Sequence, residues 1–449
     1  MHRVLVVAVL LLFTCRAFAE DPPPNPAAGE SYDGRPHGPS WREDLVLVPR
    51  LMLAPVEWLF KLGLGWPFHR LLDWDEEHHV HETILAAFSS PDGLIGVRPA
   101  FQYALGYRPV VGLRLFDRKL MGRDSDFQVT GMTGGTDIVY GEVYARPTRG
   151  NRAVAVAVRT IYNRRDDQVF TAVGYADTDP TRWTLPTRYA VDAFDGGGEL
   201  TLAAAPGVTF AGTAAFGLRR FGNGVRVGVD PPIADVYCVR DLTGRCIPGT
   251  VDEWQVPGFN RGTQFARLGA SFRLDSRDNW YQPASGALLD LGCDWSHGLG
   301  FDHSQYVRLH GALVAVLDLW QRSRTLLAKV ATEMLLPIGP YPIPFSELIV
   351  LGGPDDFRGF RPGRFRNESS LLLALEYRWP IWMWMDASLF AEYGGVFGRD
   401  FIGFGLGRMR PDVGAGVRLR SSSDFYVRAQ VAYGWGDGLQ LFLSFNAGL

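Results

Sequence analysis

Phe425-Tyr-Val-Arg428-Ala-Gln430-Val-Ala-Tyr433, followed after a short break by Leu439-Gln440-Leu441-Phe442-Leu443-Ser444-Phe445-Asn446, decides the fold. In the first run the odd positions are Phe, Val, Ala, Val and Tyr, while the even ones include Tyr426, Arg428 and Gln430. In the second run, Leu439, Leu441, Leu443 and Phe445 alternate with Gln440, Phe442, Ser444 and Asn446. Successive side chains of a strand point to opposite faces, so each run has one apolar and one mostly polar face. Just upstream, Val413, Ala415, Val417 and Leu419 alternate with Gly414, Gly416, Arg418 and Arg420. A soluble β-sandwich shares this period of two, whereas a membrane barrel adds a lipid-facing apolar wall around a polar lumen.

The amino terminus favours the membrane. Arg3 gives a positive n-region, Val4–Phe13 is an unbroken apolar run, and Ala17-Phe18-Ala19 offers a small-x-small cleavage site. The run is too short to span a bilayer, so residues 1–19 are expected to be a removable export signal. Leu12-Phe13-Thr14 before Cys15 is a poor lipobox. A mean hydropathy of −0.02 is too low for a helical bundle but suits strands that are apolar on one side. The 52 glycines and 13% aromatic residues fit a tilted barrel with interfacial girdles, and a net charge of −3 argues against a nucleic-acid partner. In an oxidising compartment Cys238 and Cys246, eight residues apart in a loop, are expected to form a disulfide, and Cys293 stands alone in a strand.

Residues 20–44 read as a Pro/Gly-rich linker, and 45–93 as an N-terminal helical segment. Within Leu45–Leu72, Arg50, Glu57 and Lys61 fall on one narrow stripe of an otherwise apolar surface, broken by Pro49, Pro55 and Pro67. Such a helix either caps the barrel mouth or lies at the lipid interface. The run Asp73 to Glu82 holds His78, His79 and His81 among carboxylates. Neighbours in a charged run seldom converge on one ion, so a solvated turn is expected, with no metal and no cofactor.

Residues 94–449 are assigned to the barrel. Strands are expected near 109–118, 124–132, 136–147, 152–163, 166–177, 190–205, 207–221, 262–276, 286–298, 303–320, 324–336, 368–380, 385–397, 411–420, 425–434 and 438–447. These make sixteen, an even number as bacterial barrels require, with 94–105 left as a lead-in arm. The fold class is therefore all-β: a sixteen-stranded antiparallel transmembrane barrel. With both termini periplasmic, the long connections 222–261 and 337–367 fall outside the cell.

The later of these contains Leu351-Gly352-Gly353-Pro-Asp-Asp-Phe357-Arg358-Gly359-Phe360-Arg361-Pro-Gly363-Arg364-Phe365-Arg366, four basic groups among turn-permitting glycines. In the next two strands the alternation places Glu376, Arg378, Asp386, Ser388, Phe390 and Glu392 inside. If the loop folds inward, Arg358 can pair with Glu376, Glu392 or both through its forked guanidinium.

These residues carry a family resemblance. Gly352-Gly353 with Phe357-Arg358-Gly359-Phe360 resembles the loop-six signature of the BamA/TamA superfamily of outer-membrane barrels, the bacterial surface antigens. Leu375-Glu376-Tyr377-Arg378 is similar to its strand-twelve motif, and Phe390-Ala391-Glu392-Tyr393-Gly394 to its strand-thirteen motif, with Glu392 where the family has Asp. Asp275-Ser-Arg277-Asp278-Asn279 and Pro283-Ala-Ser-Gly286 resemble a turn of the same family. The resemblance covers roughly 107–449. It implies a sixteen-stranded barrel with a short seam between first and last strands, and an inward loop whose Arg358 meets Glu392. It also implies a role in outer-membrane biogenesis or in transport of protein or lipid; with no G-x-S-x-G nucleophile elbow and no Ser/His/acid set on one lumenal face, no enzyme activity is expected. The implied partners are outer-membrane lipid and nascent outer-membrane or secreted polypeptides, with the barrel itself a monomer. Residues 20–93 leave no room for the family's periplasmic POTRA domains, so the short, POTRA-less branch is expected. The alternative is a passive solute channel selecting anions through Arg378, Arg418, Arg420 and Arg428.

Overall fold

The computed structural model describes residues 88–122, 125–147, 153–173, 186–279, 283–320, 324–382, 385–420 and 425–445. The expected export signal, linker, apolar helices and 73–82 cluster lie outside the described residues.

The strands, in chain order, are β1 (Ile95–Ala104), β2 (Val110–Asp117), β3 (Asp126–Gly135), β4 (Ile138–Arg146), β5 (Val154–Phe170), β6 (Thr187–Ala205), β7 (Val208–Asn223), β8 (Thr263–Asp275) and β9 (Gly286–Gly298). They continue as β10 (Gln305–Trp320), β11 (Arg324–Pro337), β12 (Ile349–Leu351), β13 (Phe365–Asn367), β14 (Ser369–Trp382), β15 (Met385–Phe397), β16 (Arg410–Arg420), β17 (Phe425–Gly434) and β18 (Gly438–Phe445). Each strand of the wall pairs antiparallel with its neighbour, β11 pairs with β14, and β18 returns to β1, closing a sixteen-stranded barrel. β12 and β13 pair only with each other, inside the connection between β11 and β14. The dyad sets the faces. Val413, Val431, Tyr433, Leu439 and Leu441 are exposed on the outer wall, whereas Gln430, Ala432, Gln440 and Phe442 are buried in the lumen.

Two expectations need correction, and they offset each other in the strand count. The 94–105 segment is no lead-in arm: it is β1, paired with both β2 and β18. Conversely, 152–163 and 166–177 are not two strands. The charged run from Asn163 to Gln168 lies within one seventeen-residue strand, β5, with a bulge at Asp166 and Asp167. It reads as a turn because Arg and Asp are turn-compatible, but here their charges are met by protein. Arg165 Nε donates to Asp167 Oδ1 at 2.9 Å, and the Arg108 backbone N–H donates to Asp167 Oδ2 at 2.9 Å. Ahead of β1, Ser89 bridges Gly96, and the Val97 N–H donates to the Phe88 carbonyl.

Connection lengths sort the two ends. Gaps of only two to four residues separate β6 from β7, β10 from β11, β14 from β15 and β16 from β17 at the end where β1 begins and β18 ends, while 224–262 and 338–368 lie at the other. Short turns mark the periplasmic side and long loops the extracellular side. The extracellular mouth is covered by the 224–262 loop, whose Ile233, Tyr237, Val251, Val256 and Phe259 pack with Phe170 and Tyr189 of the wall and with Phe345. Cys238 and Cys246 are disulfide-bonded within it.

Candidate functional site

The β11–β14 connection turns into the lumen. Paired β12 and β13 form its neck, with Leu351 opposite Phe365. Beyond the neck, Gly352 and Gly353 adopt φ of +110° and +132°, a region that side chains rarely enter. A methyl group on Gly352 would overlap the Arg361 carbonyl. The tip is held by an aromatic knot. Phe357 and Phe360 lie 4.3 Å apart by ring centroids, Phe365 packs 4.9 Å from Phe360, and Leu351, Leu372 and Val396 complete a buried cluster. Phe357 has a φ of +65°, a left-handed conformation that orients the following arginine.

Arg358 is buried between two strands. Its backbone N–H donates to Glu392 Oε2 at 2.6 Å, its Nε donates to Glu392 Oε1 at 3.0 Å, and its Nη1 donates to Glu376 Oε2 at 2.8 Å. The guanidinium carbon sits 3.5 Å from the centroid of the Phe390 ring, a cation–π contact on the same lumenal face. Gly414, directly opposite Phe390, leaves room for that ring, because a Cβ there would overlap its edge. Glu376 also accepts from Arg378 Nε at 2.6 Å and from Arg418 Nη2 at 3.0 Å. Two carboxylates thus face three guanidiniums, and a buried ionic group of this kind needs each charge met.

Asp412 escaped the sequence reading, although it lies on the polar face of β16. It sits opposite Glu392, and its Oδ2 accepts the Gly359 N–H at 2.7 Å. The loop backbone touches the wall here. A methyl group on Gly359 would overlap Asp412 Cβ, and one on Gly434 would overlap the Gly359 carbonyl.

The other arginines of the loop each go to a different place. Arg361 Nη1 donates to Asp230 of the 224–262 loop at 3.1 Å, Arg364 Nε donates to Asp437 between β17 and β18 at 2.6 Å, and Arg366 donates to the Phe345 carbonyl. Asp230 also accepts from Arg188, which is buried. Nearby, Glu347 binds Arg219 and Arg267 and accepts the Tyr306 hydroxyl at 2.8 Å. Burial pushes the Glu347 carboxyl up, but the surrounding arginines, Arg219 foremost, outweigh it and hold the group below the usual carboxylate range. None of these partners shares a sequence motif with the loop, and long-range pairing leaves no periodic signal.

Below the loop tip lies a cavity of about 710 Å³, lined by Arg358, Arg378, Lys329, Arg428, His310 and Asp290 among others. Its cations are engaged: Lys329 pairs with Asp356, and Arg428 Nη2 lies 2.6 Å from Asp355 Oδ1. Among the described residues, no group of His, Cys, Asp and Glu has the arrangement of a metal site. Between β8 and β9, Arg277 binds Asp275, and the Asp278 carboxylate accepts the Ala284 and Ser285 N–H groups.

A closed sixteen-stranded wall and an extracellular loop turned into the lumen define an outer-membrane barrel with an inward plug loop. Residues 258–449 match the Omp85 superfamily domain. Among solved structures, BamA from Haemophilus ducreyi lacking POTRA domains 1-3 is similar at a TM-score of 0.54 and 12% identity, over 78% of this chain and 70% of that one. CdiB from Escherichia coli is similar at a TM-score of 0.46 and 11% identity, over 78% of this chain and 62% of that one. Wzi, a carbohydrate-binding outer-membrane barrel involved in group 1 capsule assembly in Escherichia coli, gives a TM-score of 0.35 at 11% identity, over 92% and 90% of the two chains. Only the first is close enough to bear on the fold. A sequence search of curated proteins finds no match.

Proposed function

We propose that this barrel acts in outer-membrane biogenesis, inserting or passing polypeptide or lipid at the junction of β1 and β18. The observation that carries this reading is the unequal strength of the wall. Among the described residues, β1 and β18 share four residue pairs, Phe101–Phe445 to Ala104–Phe442, whereas β6 and β7 share sixteen. The four-pair ladder is the shortest of the wall among the described residues, so parting it breaks the fewest of the described hydrogen bonds. Meanwhile the lumen is obstructed. The 224–262 loop covers the mouth, the Arg358 loop fills the space beneath, and Arg378 and Arg418, which an anion channel would need free, both bind Glu376. In this reading Gly352, Gly353, Phe357, Arg358, Gly359 and Phe360 hold the plug against Glu376 and Glu392 so that traffic is kept to the wall.

The test is a seam lock. Gln102 and Ser444 are register partners, so Gln102→Cys with Ser444→Cys places two thiols across the junction. In proteoliposomes, the reduced protein is expected to accelerate folding of an added unfolded outer-membrane barrel protein, and the oxidised protein to lose that acceleration. Full activity of the oxidised form would move the reading from the wall to the lumen.

A further inference from the structure

The connection between β15 and β16, residues 398–409, does not turn inward. Tyr393, on the outer face of β15, donates its hydroxyl to the Leu406 carbonyl, and Phe397 at the end of the same strand packs 5.2 Å from Phe404 and 6.0 Å from Phe401. The segment therefore lies along the outer rim at the extracellular end. It leaves Ile402 72% and Leu406 63% exposed, with Trp435 of the neighbouring β17–β18 turn 65% exposed. The Trp435 N–H donates to the Pro411 carbonyl, which ties that turn to the base of the lip. These side chains continue the apolar belt formed by Tyr433, Val413 and Leu439.

The lip is also held in an uncommon shape. Asp400 and Phe401 are consecutive residues with φ of +52° and +58°, and a side chain pays for that conformation only where its surroundings impose it. The result is a tight turn that projects apolar groups outward beside two cations. Arg408 donates to the Gly403 carbonyl at 3.0 Å and, among the described residues, has no carboxylate partner. Arg399 stands 3.6 Å from Glu368 and is largely exposed. Asp400 is the one acidic residue between 398 and 409.

We propose that this lip, with Trp435, is a binding site for the phosphate-bearing glycolipid of the outer leaflet, with Ile402 and Leu406 sunk at the acyl boundary and Arg408 and Arg399 against the headgroup phosphates. Two physical features select that occupant. The apolar groups are continuous with the lipid-facing wall, so acyl chains already reach them. The Arg408 guanidinium, which meets a carbonyl but no carboxylate among the described residues, lies beside those apolar groups, and its forked donors match phosphate oxygens. The proposal is independent of whether the β1–β18 junction opens.

The experiment compares retention of bisphosphorylated lipid A with that of its dephosphorylated form by the full-length barrel in detergent, read by native mass spectrometry. The wild-type barrel is expected to retain the phosphorylated lipid preferentially. Arg399→Gln with Arg408→Gln should reduce that retention by about fivefold per arginine, while the dephosphorylated lipid is unaffected. Ile402→Ser with Leu406→Ser should weaken both lipids. Equal retention of the two lipids by the wild-type barrel, or unchanged retention by the arginine variant with its heat-modifiable folded band intact, would overturn the assignment.

Discussion

Arg358→Ala is expected to lower barrel stability by about 3–5 kcal/mol, the loss typical when one partner of a buried ionic group is removed. The size follows from what remains. Glu392 loses a backbone-anchored guanidinium and stays buried opposite Asp412, and Glu376 keeps Arg378 and Arg418 but loses its link to the loop. The Phe390 ring loses its cation as well. The figure describes the carboxylates left behind rather than the net worth of the pair, which replacement by apolar groups could match. The readout is the temperature at which the folded, fast-migrating band is lost in semi-native electrophoresis, with far-ultraviolet circular dichroism as a check that strand content is retained. Arg358→Lys should fall between wild type and alanine, because one ammonium cannot bridge both carboxylates as the fork does. An alanine variant with an unchanged transition would remove the lock from the account.

The second large effect concerns backbone contact. Gly359→Ala and Gly434→Ala each place a methyl group where the loop already touches the wall, against Asp412 Cβ and the Gly359 carbonyl respectively. Overpacking at a close contact costs about 1–3 kcal/mol, and the loop can avoid it only by backing away and giving up the Gly359–Asp412 hydrogen bond. Both variants should therefore lower the transition temperature and expose the loop to protease added at the extracellular face. Gly141→Ala, with open space around its Cβ position, is the matched control and should be close to neutral. Equal behaviour of all three would mean that the loop does not press on β16 and β17.

Much of this architecture was legible in the chain. The period of two in β16, β17 and β18 is simple because each strand has lipid on one side and the lumen on the other, so polarity alternates cleanly. The loop motif was legible because it is local: Gly352, Gly353, Phe357, Arg358 and Gly359 lie within eight residues. The bulge in β5 was misread for a physical reason. Asn163-Arg-Arg-Asp-Asp-Gln168 has the composition of a solvated turn, and only tertiary contacts with Arg108 show that its charges are satisfied in a strand. The first strand is visible as a candidate at 94–105, but splitting β5 in two already supplies sixteen strands, so the even count excludes it. The loop's partners Asp230, Asp437 and Asp412 escape the sequence because each is isolated there, and nothing in its neighbours says what will reach it.

The central claim is that the ladder between β1 and β18, the shortest among the described residues, is the weak point of the wall, while the Arg358 loop is held fast in the lumen. Hydrogen–deuterium exchange on the barrel in nanodiscs tests both halves at once. The account predicts that amides of residues 95–104 and 438–445 exchange well before those of β5, β6 and β7, and that the Arg358 and Gly359 amides, bonded to Glu392 and Asp412, stay protected as long as the central wall. Junction amides that survive as long as those of β6, with Arg358 and Gly359 exchanging early, would contradict it.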